Sequence, residues 1–290
     1  MLFLRMIQTM VKTKLAAPGL LRFMRNDCME VGVDEVARGC LAGRVYAAAV
    51  IWDARIQHPL IAEIKDSKKL TPVQRSELRQ FIEQNATAWS IGWIDETVID
   101  QVNIRNATFM AMHQAINNIQ VSYPNLRLGH ILVDGNAFNP YPEIPHTCVV
   151  KGDNTYLSIA CASILAKTHR DEYIASLART YPDLHKYCWY KNNAYGTRDH
   201  LEAIRMYGIS QFHRKTFGIC KTAPVVIVNP NLTFIQPDIE PVEPVELEVE
   251  SELIESSKSK KQKKEKKLKK PKKEKKENEK KPKKPKKDKG

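Results

Sequence analysis

The sequence predicts an α/β fold over residues 29–221, and three observations carry that reading. Short apolar runs of strand length occur at 30–38, 45–52, 87–94, 130–133 and 147–150. Segments with helical apolar spacing lie between and after them, at 72–84, 95–102, 103–121, 156–180 and 198–207. Acids stand where three of the strands end, at Asp34-Glu35, Asp134-Gly135 and Gly152-Asp153. Strand ends are where α/β sheets build their sites.

Each element has its own reason. Val31-Gly32-Val33-Asp34-Glu35 runs apolar residues into two adjacent carboxylates, then into the small turn Ala37-Arg38-Gly39. A regular strand would turn Asp34 and Glu35 to opposite faces. Either the strand stops at them, then, or the two acids do separate jobs. The run at 45–52 is expected to pair with the first strand as a hairpin through 39–43. Asp66-Ser67-Lys68-Lys69-Leu70 reads as a polar loop. Thr71-Pro72-Val73-Gln74 starts a helix with a capping box and a proline at the first helical position. The apolar positions of 103–121 and 156–180 read as core-facing helix stripes. From Thr222 onward the periodicity is lost.

The chain has 290 residues and a net charge of +13. That charge is unevenly placed. Residues 258–290 contain 20 Lys and 5 acids, about +15, so the rest of the chain is near −2. The basic pI belongs to the tail, and affinity for nucleic acid cannot be read from it alone. The expected organisation is an N-terminal extension (1–28), the α/β domain (29–221), an acidic proline-rich linker (222–256) and a disordered lysine-rich tail (257–290). The extension is basic, with no acid before Asp27. A mitochondrial-type presequence fits this pattern, but an unstructured extension is preferred. Six scattered cysteines without a C-x-x-C pair suit reduced thiols in an intracellular, cytoplasmic protein, although a nuclear-targeting role for the tail also fits. The longest apolar run, 45–52, is far too short to span a bilayer.

Four carboxylates in one cleft would repel by roughly 3 kcal/mol per pair at about 5 Å and an effective dielectric near 20. Such a cluster makes sense with cations. Oxygen donors without paired Cys or His favour Mg²⁺ or Mn²⁺ over Zn²⁺. Two such ions suit in-line attack at a phosphodiester.

The set Asp34-Glu35-Val36-Ala37-Arg38-Gly39, Asp66-Ser67-Lys68-Lys69-Leu70, Val133-Asp134-Gly135-Asn136 and Lys151-Gly152-Asp153 resembles ribonuclease HII. So do Ile159-Ala160-Cys161-Ala162-Ser163-Ile164-Leu165-Ala166-Lys167, Arg170-Asp171, Tyr195-Gly196-Thr197, His200 and His213-Arg214-Lys215-Thr216-Phe217. Order and spacing match over about residues 30–221. The resemblance implies an RNase H-like fold: a five-stranded mixed sheet flanked by helices, with a helical C-terminal part. It implies a monomeric endonuclease acting on the RNA strand of RNA–DNA hybrids and 5′ to ribonucleotides embedded in duplex DNA. The products would carry 3′-hydroxyl and 5′-phosphate ends. Asp34, Glu35, Asp134 and Asp153 would hold the metal ions and be catalytic.

The same resemblance assigns the ribose 2′-hydroxyl to the turn Ala37-Arg38-Gly39 and a neighbouring sugar to Tyr195. The 2′-hydroxyl is the group that separates RNA from DNA. Lys68, Lys69, Lys151, Lys167 and Arg38 are candidate phosphate contacts, each weighed against a solvated surface charge. Ser163 and Asp171 are expected to organise the surroundings of the site. Three departures stand out: Ala37 and Ala194 occupy positions where the family has glycine, and Cys40 stands where it usually has proline. If position 37 needs a positive φ, alanine is strained there by about 1–2 kcal/mol. The alternative function is a non-catalytic hybrid-binding protein held mainly by its lysine tail.

Overall fold

The structure, a computed structural model, describes residues 28–230. The extension over 1–27, the linker beyond 230 and the lysine tail lie outside the described residues. One mixed sheet carries the fold. Its strands are β1 (Cys28–Val36), β2 (Val45–Ile51), β3 (Ala88–Ile94), β4 (Arg127–Asp134) and β5 (His146–Val149), in the order β3-β2-β1-β4-β5. The hairpin expectation holds, with β1 and β2 antiparallel. β4 lies parallel to β1, and β5 parallel to β4.

Helices cover both faces. They are α1 (Pro72–Asn85), α2 (Glu96–Val102), α3 (Ile104–Ser122), α4 (Leu157–Thr180), α5 (Trp189–Asn192) and α6 (Arg198–Tyr207). On one face, Val31, Val33, Ala47 and Ala49 pack with Ala111, Met112, Ala115 and Ile116 of α3. On the other, Ala48 and Val50 pack with Leu78 and Ile82 of α1 and the 160–166 stretch of α4. The all-apolar sequence of β2 follows, because a strand covered on both sides needs no polar alternation. Gly32 is required by close approach: a Cβ there would run into the Ser158 backbone at the start of α4. The predicted capping box at Thr71 and Gln74 forms, with both reciprocal hydrogen bonds.

A third cluster joins the C-terminal part to the sheet domain through Leu41, Ala42, Ile174, Tyr187, Trp189 and Ile204. The structure corrects the expectation that order fades at Thr222. A short strand β7 (Val225–Val226) pairs parallel with β6 (Ile209–Ser210). Val228 is buried, and its N–H and C=O are both bound by the Gln211 amide. The packed body therefore extends beyond Lys221. Among the described residues, no helix is long and apolar enough to cross a membrane.

Candidate active site

The acids sit where β1 and β4 run side by side. Val33 pairs with Val133, so the next residue on each strand, Asp34 and Asp134, points to the same face, that of α4. The sequence reading offered two options, that β1 ends at the acid pair or that its acids do separate jobs. The first is corrected, because β1 continues past the acid pair to Val36, and the turn starts at Ala37. Asp34 pairs with Ala48, on the α4 side, and Glu35 with Ala47, on the α3 side. Opposite faces still leave both carboxyls within the field of Asp134.

Asp153 comes from the tight turn Gly152–Asn154 that follows β5. Asp134 Oδ1 accepts the Gly152 N–H at 2.7 Å, which ties that turn to β4. Asp34 and Asp153 are both buried. Burial pushes the Asp34 carboxyl well above its ordinary range, and the charges of Glu35 and Asp134 push it the same way. Opposing these are hydrogen bonds from the Ser163 hydroxyl and the Glu35 N–H, the latter at 2.7 Å. Burial also raises Glu35, against the pull of Arg38, whose Nη1 lies 3.4 Å from Oε1. Asp134 is raised by burial and by Asp153, and lowered by the Gly152 N–H and by Lys68. Burial and mutual repulsion therefore oppose the ionisation of three carboxyls, a cost that a cation would remove.

The donor set is hard oxygen throughout, which fits Mg²⁺ or Mn²⁺. Among the described residues, no three acid, histidine or cysteine side chains already converge as a ligand set. Rotation of the carboxylates would have to accompany binding.

A family model described as Ribonuclease HII matches residues 31–220. Ribonuclease HII of Parabacteroides distasonis is 50% identical over 200 residues, covering 69% of this chain and 95% of the relative. Ribonuclease HII of Phocaeicola vulgatus is 47% identical over 205 residues, covering 71% and 96%. The chain belongs to the ribonuclease HII family. It is thus an endoribonuclease of the ribonuclease H type. Among solved structures, the fold is similar to ribonuclease H2 from Pyrococcus horikoshii OT3 (TM-score 0.54, 21% identity, 66% of this chain and 95% of that one). It is also similar to a chain of the PCNA:RNase HII complex from Archaeoglobus fulgidus (TM-score 0.51, 20% identity, 66% and 96%).

The ribonuclease HII turn at 37–39 is held by distant parts of the chain. The Cys40 N–H donates to the Ala37 carbonyl at 3.3 Å, and the Leu41 N–H to the Ala194 carbonyl at 2.9 Å. Arg214, fully buried, donates from Nη1 to the Arg38 carbonyl at 3.0 Å and from Nε to the Gly43 carbonyl at 2.9 Å. Its burial lowers the guanidinium pKa to about 10, so it remains a cation at neutral pH. Cys40 bridges Tyr195 by backbone pairing, which places Tyr195 beside the turn. The Tyr195 ring lies 5.5 Å from Lys167 Nζ and 5.6 Å from the guanidinium carbon of the buried Arg170.

Sequence reasoning gave no role to His200 and His213. Both are fully buried, with their Nε2 atoms 3.1 Å apart. The Ser210 N–H reaches His213 Nδ1 at 3.0 Å, so that nitrogen must be the acceptor and Nε2 must carry the proton. His200 Nε2 then accepts from His213 and from Trp189 Nε1, and His200 Nδ1–H donates to the Tyr195 carbonyl at 2.9 Å. The pair is neutral, with one tautomer each. Burial, reinforced by its partner, drives His213 down to about 3. Their role is to fix the Tyr195 backbone.

The candidate phosphate contacts separate. Lys151 is exposed, at a left-handed residue with φ of 59°. Lys68 is exposed and feels Asp134. Lys167 is paired with Asp171 at 2.9 Å, and Lys69 with Asn154 and Asp66.

Ala37 has φ of 73° and Ala194 has φ of 57°, so both alanines sit in the left-handed region that favours glycine. For Ala37→Gly, relief of strain exceeds the entropy that glycine adds to the unfolded chain by about 0.5–1 kcal/mol. The melting temperature is expected to rise by about 2 °C. A fall in a thermal melt would contradict the strain.

Proposed function

We propose that the chain hydrolyses the RNA strand of RNA–DNA hybrids and cuts on the 5′ side of ribonucleotides embedded in duplex DNA, leaving 3′-hydroxyl and 5′-phosphate ends. Asp34, Glu35, Asp134 and Asp153 are the groups that would hold two divalent cations, Mg²⁺ or Mn²⁺. When bound, these would neutralise the acid cluster, lower the pKa of water and stabilise charge on the phosphate. The chain's own part is to keep the four carboxylates charged and adjacent, to read the sugar, and to grip the flanking phosphates.

The observation that carries this reading is the turn beside the acids. Gly39 does not have the positive φ that would demand glycine, and a Cβ on it would meet no atom within 4 Å. Among the described residues, nothing explains a glycine there. A bulky group approaching from outside would. Ala37-Arg38-Gly39 and the Tyr195 ring then face the same nucleotide, with the turn against the 2′-hydroxyl and the ring against a sugar. Lys68 and Lys151 are exposed cations available for phosphates, and Arg38, exposed but 3.4 Å from Glu35, would share its charge between the two.

The test is purified protein with Mg²⁺ or Mn²⁺ on a duplex with one ribonucleotide, on a hybrid and on matched DNA. Cleavage restricted to the first two, 5′ to the single ribonucleotide, is expected. Binding without cleavage in Mn²⁺ would favour the non-catalytic hybrid-binding reading.

The lysine tail supports affinity in this reading. A variant ending at Ser257 is expected to keep its turnover at saturating substrate, raise KM, and lose steepness in salt, since each phosphate neutralised contributes a slope of about 0.9. Superimposable KM curves from about 50 to 200 mM salt would leave the tail no part in substrate binding.

A further inference from the structure

The turn Ser67–Lys69 stands between two of the acids and touches the support of both. At one end, Ser67 Oγ lies 3.0 Å from Ser163 Oγ, and both hydroxyls are buried. Ser163 is the residue whose hydroxyl bonds Asp34. At the other end, Lys69 Nζ donates to Asn154 Oδ1 at 2.7 Å, and Asn154 Nδ2 donates to Asp153 Oδ1 at 2.6 Å. The amide orientation is dictated by its neighbours. An ammonium only donates and a carboxylate only accepts, so Asn154 must turn its oxygen to Lys69 and its nitrogen to Asp153. Lys69 is itself held 3.6 Å from Asp66, which caps the turn through the Lys68 N–H. Arg75 Nη1 binds the Ser67 and Leu70 carbonyls at 2.9 and 2.6 Å, which fixes the turn to α1.

We propose that this turn is a brace for the acid cluster, with Lys69 and Asn154 as positioning residues that orient Asp153 rather than contacts to nucleic acid. The inference rests on the cation reading given above, and it reassigns Lys69 from the phosphate contacts. Lys69 is the link between a turn anchored to Asp34 and a residue anchored to Asp153, so the separation of those two carboxylates is set through it.

The two roles for Lys69 differ in sign when Mn²⁺ is titrated into the full-length protein without nucleic acid, followed by the EPR signal of free Mn²⁺. A lysine that merely lies near the acids repels a cation, so Lys69→Met would bind Mn²⁺ more tightly or unchanged. A brace requires the opposite. Lys69→Met and Asn154→Ala are each expected to weaken Mn²⁺ binding about tenfold, the scale seen when groups behind metal ligands are removed. The double variant is expected to be no weaker than the weaker single one, because both cut the same link. Both side chains are at the surface, and a thermal melt checks that each variant is folded. Unchanged or tighter binding in either single variant overturns the proposal. Asp134→Asn is the control: if it binds Mn²⁺ like the wild type, the cation reading itself falls, and the brace with it.

Discussion

Asp34→Asn is expected to abolish cleavage and, in the same protein, to raise thermal stability when divalent cations are chelated. The catalytic loss should be about a thousandfold or more, equivalent to about 4 kcal/mol, because in the proposed function a charged ligand is removed from the cations. The gain in stability has a different origin. Asp34 is buried against Glu35 and Asp134, and both its burial and their charges oppose its ionisation. One like-charge pair at an effective dielectric near 20 costs roughly 3 kcal/mol, and a weakened hydrogen bond offsets about 1 kcal/mol of the relief. A net gain of about 1–2 kcal/mol should raise the melting temperature by several degrees. The pH dependence has a definite sign. A carboxyl whose folded pKa is raised destabilises the native state above that pKa, and the penalty fades as pH falls through it towards the ordinary aspartate range. The margin of Asp34→Asn over wild type should therefore be widest at neutral pH and close on acidification. Mn²⁺ should stabilise wild type more than the variant. A variant less stable than wild type at every pH would show that the acid cluster carries no such penalty.

The second large effect concerns Tyr195. Tyr195→Ala is expected to cut kcat/KM on a single-ribonucleotide duplex by about ten- to a hundredfold, the loss of about 1.4–2.7 kcal/mol. Tyr195→Phe should remain within about threefold of wild type, roughly 0.6 kcal/mol. The ring is placed by backbone pairing to Cys40 and by the His200 bond to its carbonyl, neither of which involves the hydroxyl. Burial first, then the neighbouring Cys40, pushes that hydroxyl up to about 12, so it does not ionise near neutrality. In the proposed function, the substrate would meet the aromatic face. Steady-state kinetics on both variants decides the matter, and equal losses would mean that the hydroxyl, not the face, does the work.

Local signals in the sequence were legible where the cause is local. The capping box at Thr71 and Gln74, the apolar β2 and the long α4 all depend on residues within a turn or two of one another. The acids were legible as candidates because carboxylates that interrupt or follow apolar runs are visible in a linear pattern. The parallel pairing of β1 with β4 joins residues about a hundred positions apart, and no periodicity announces it. The left-handed backbone at Ala37 stayed an open alternative in the sequence, since the glycine that would signal it is absent and only the resemblance raised it. Lys69 read as a surface cation because its partner Asn154 lies 85 residues away. The histidine pair was opaque because its role depends on which nitrogen each proton occupies, and that follows only from the Ser210 N–H.

Arg214 reaches the carbonyls of Arg38 and Gly43 across 176 and 171 residues. This fixes an order of completion during synthesis. When the chain has emerged only as far as the end of α4, all four acids exist, along with the strands that carry them. Tyr195, His213 and Arg214 do not yet exist, and the Arg38 and Gly43 carbonyls lack the guanidinium that binds them in the finished fold. The turn is thus translated early and finished late. A message broken before codon 214 yields a chain with every acid in place and no buried guanidinium to set the turn beside them.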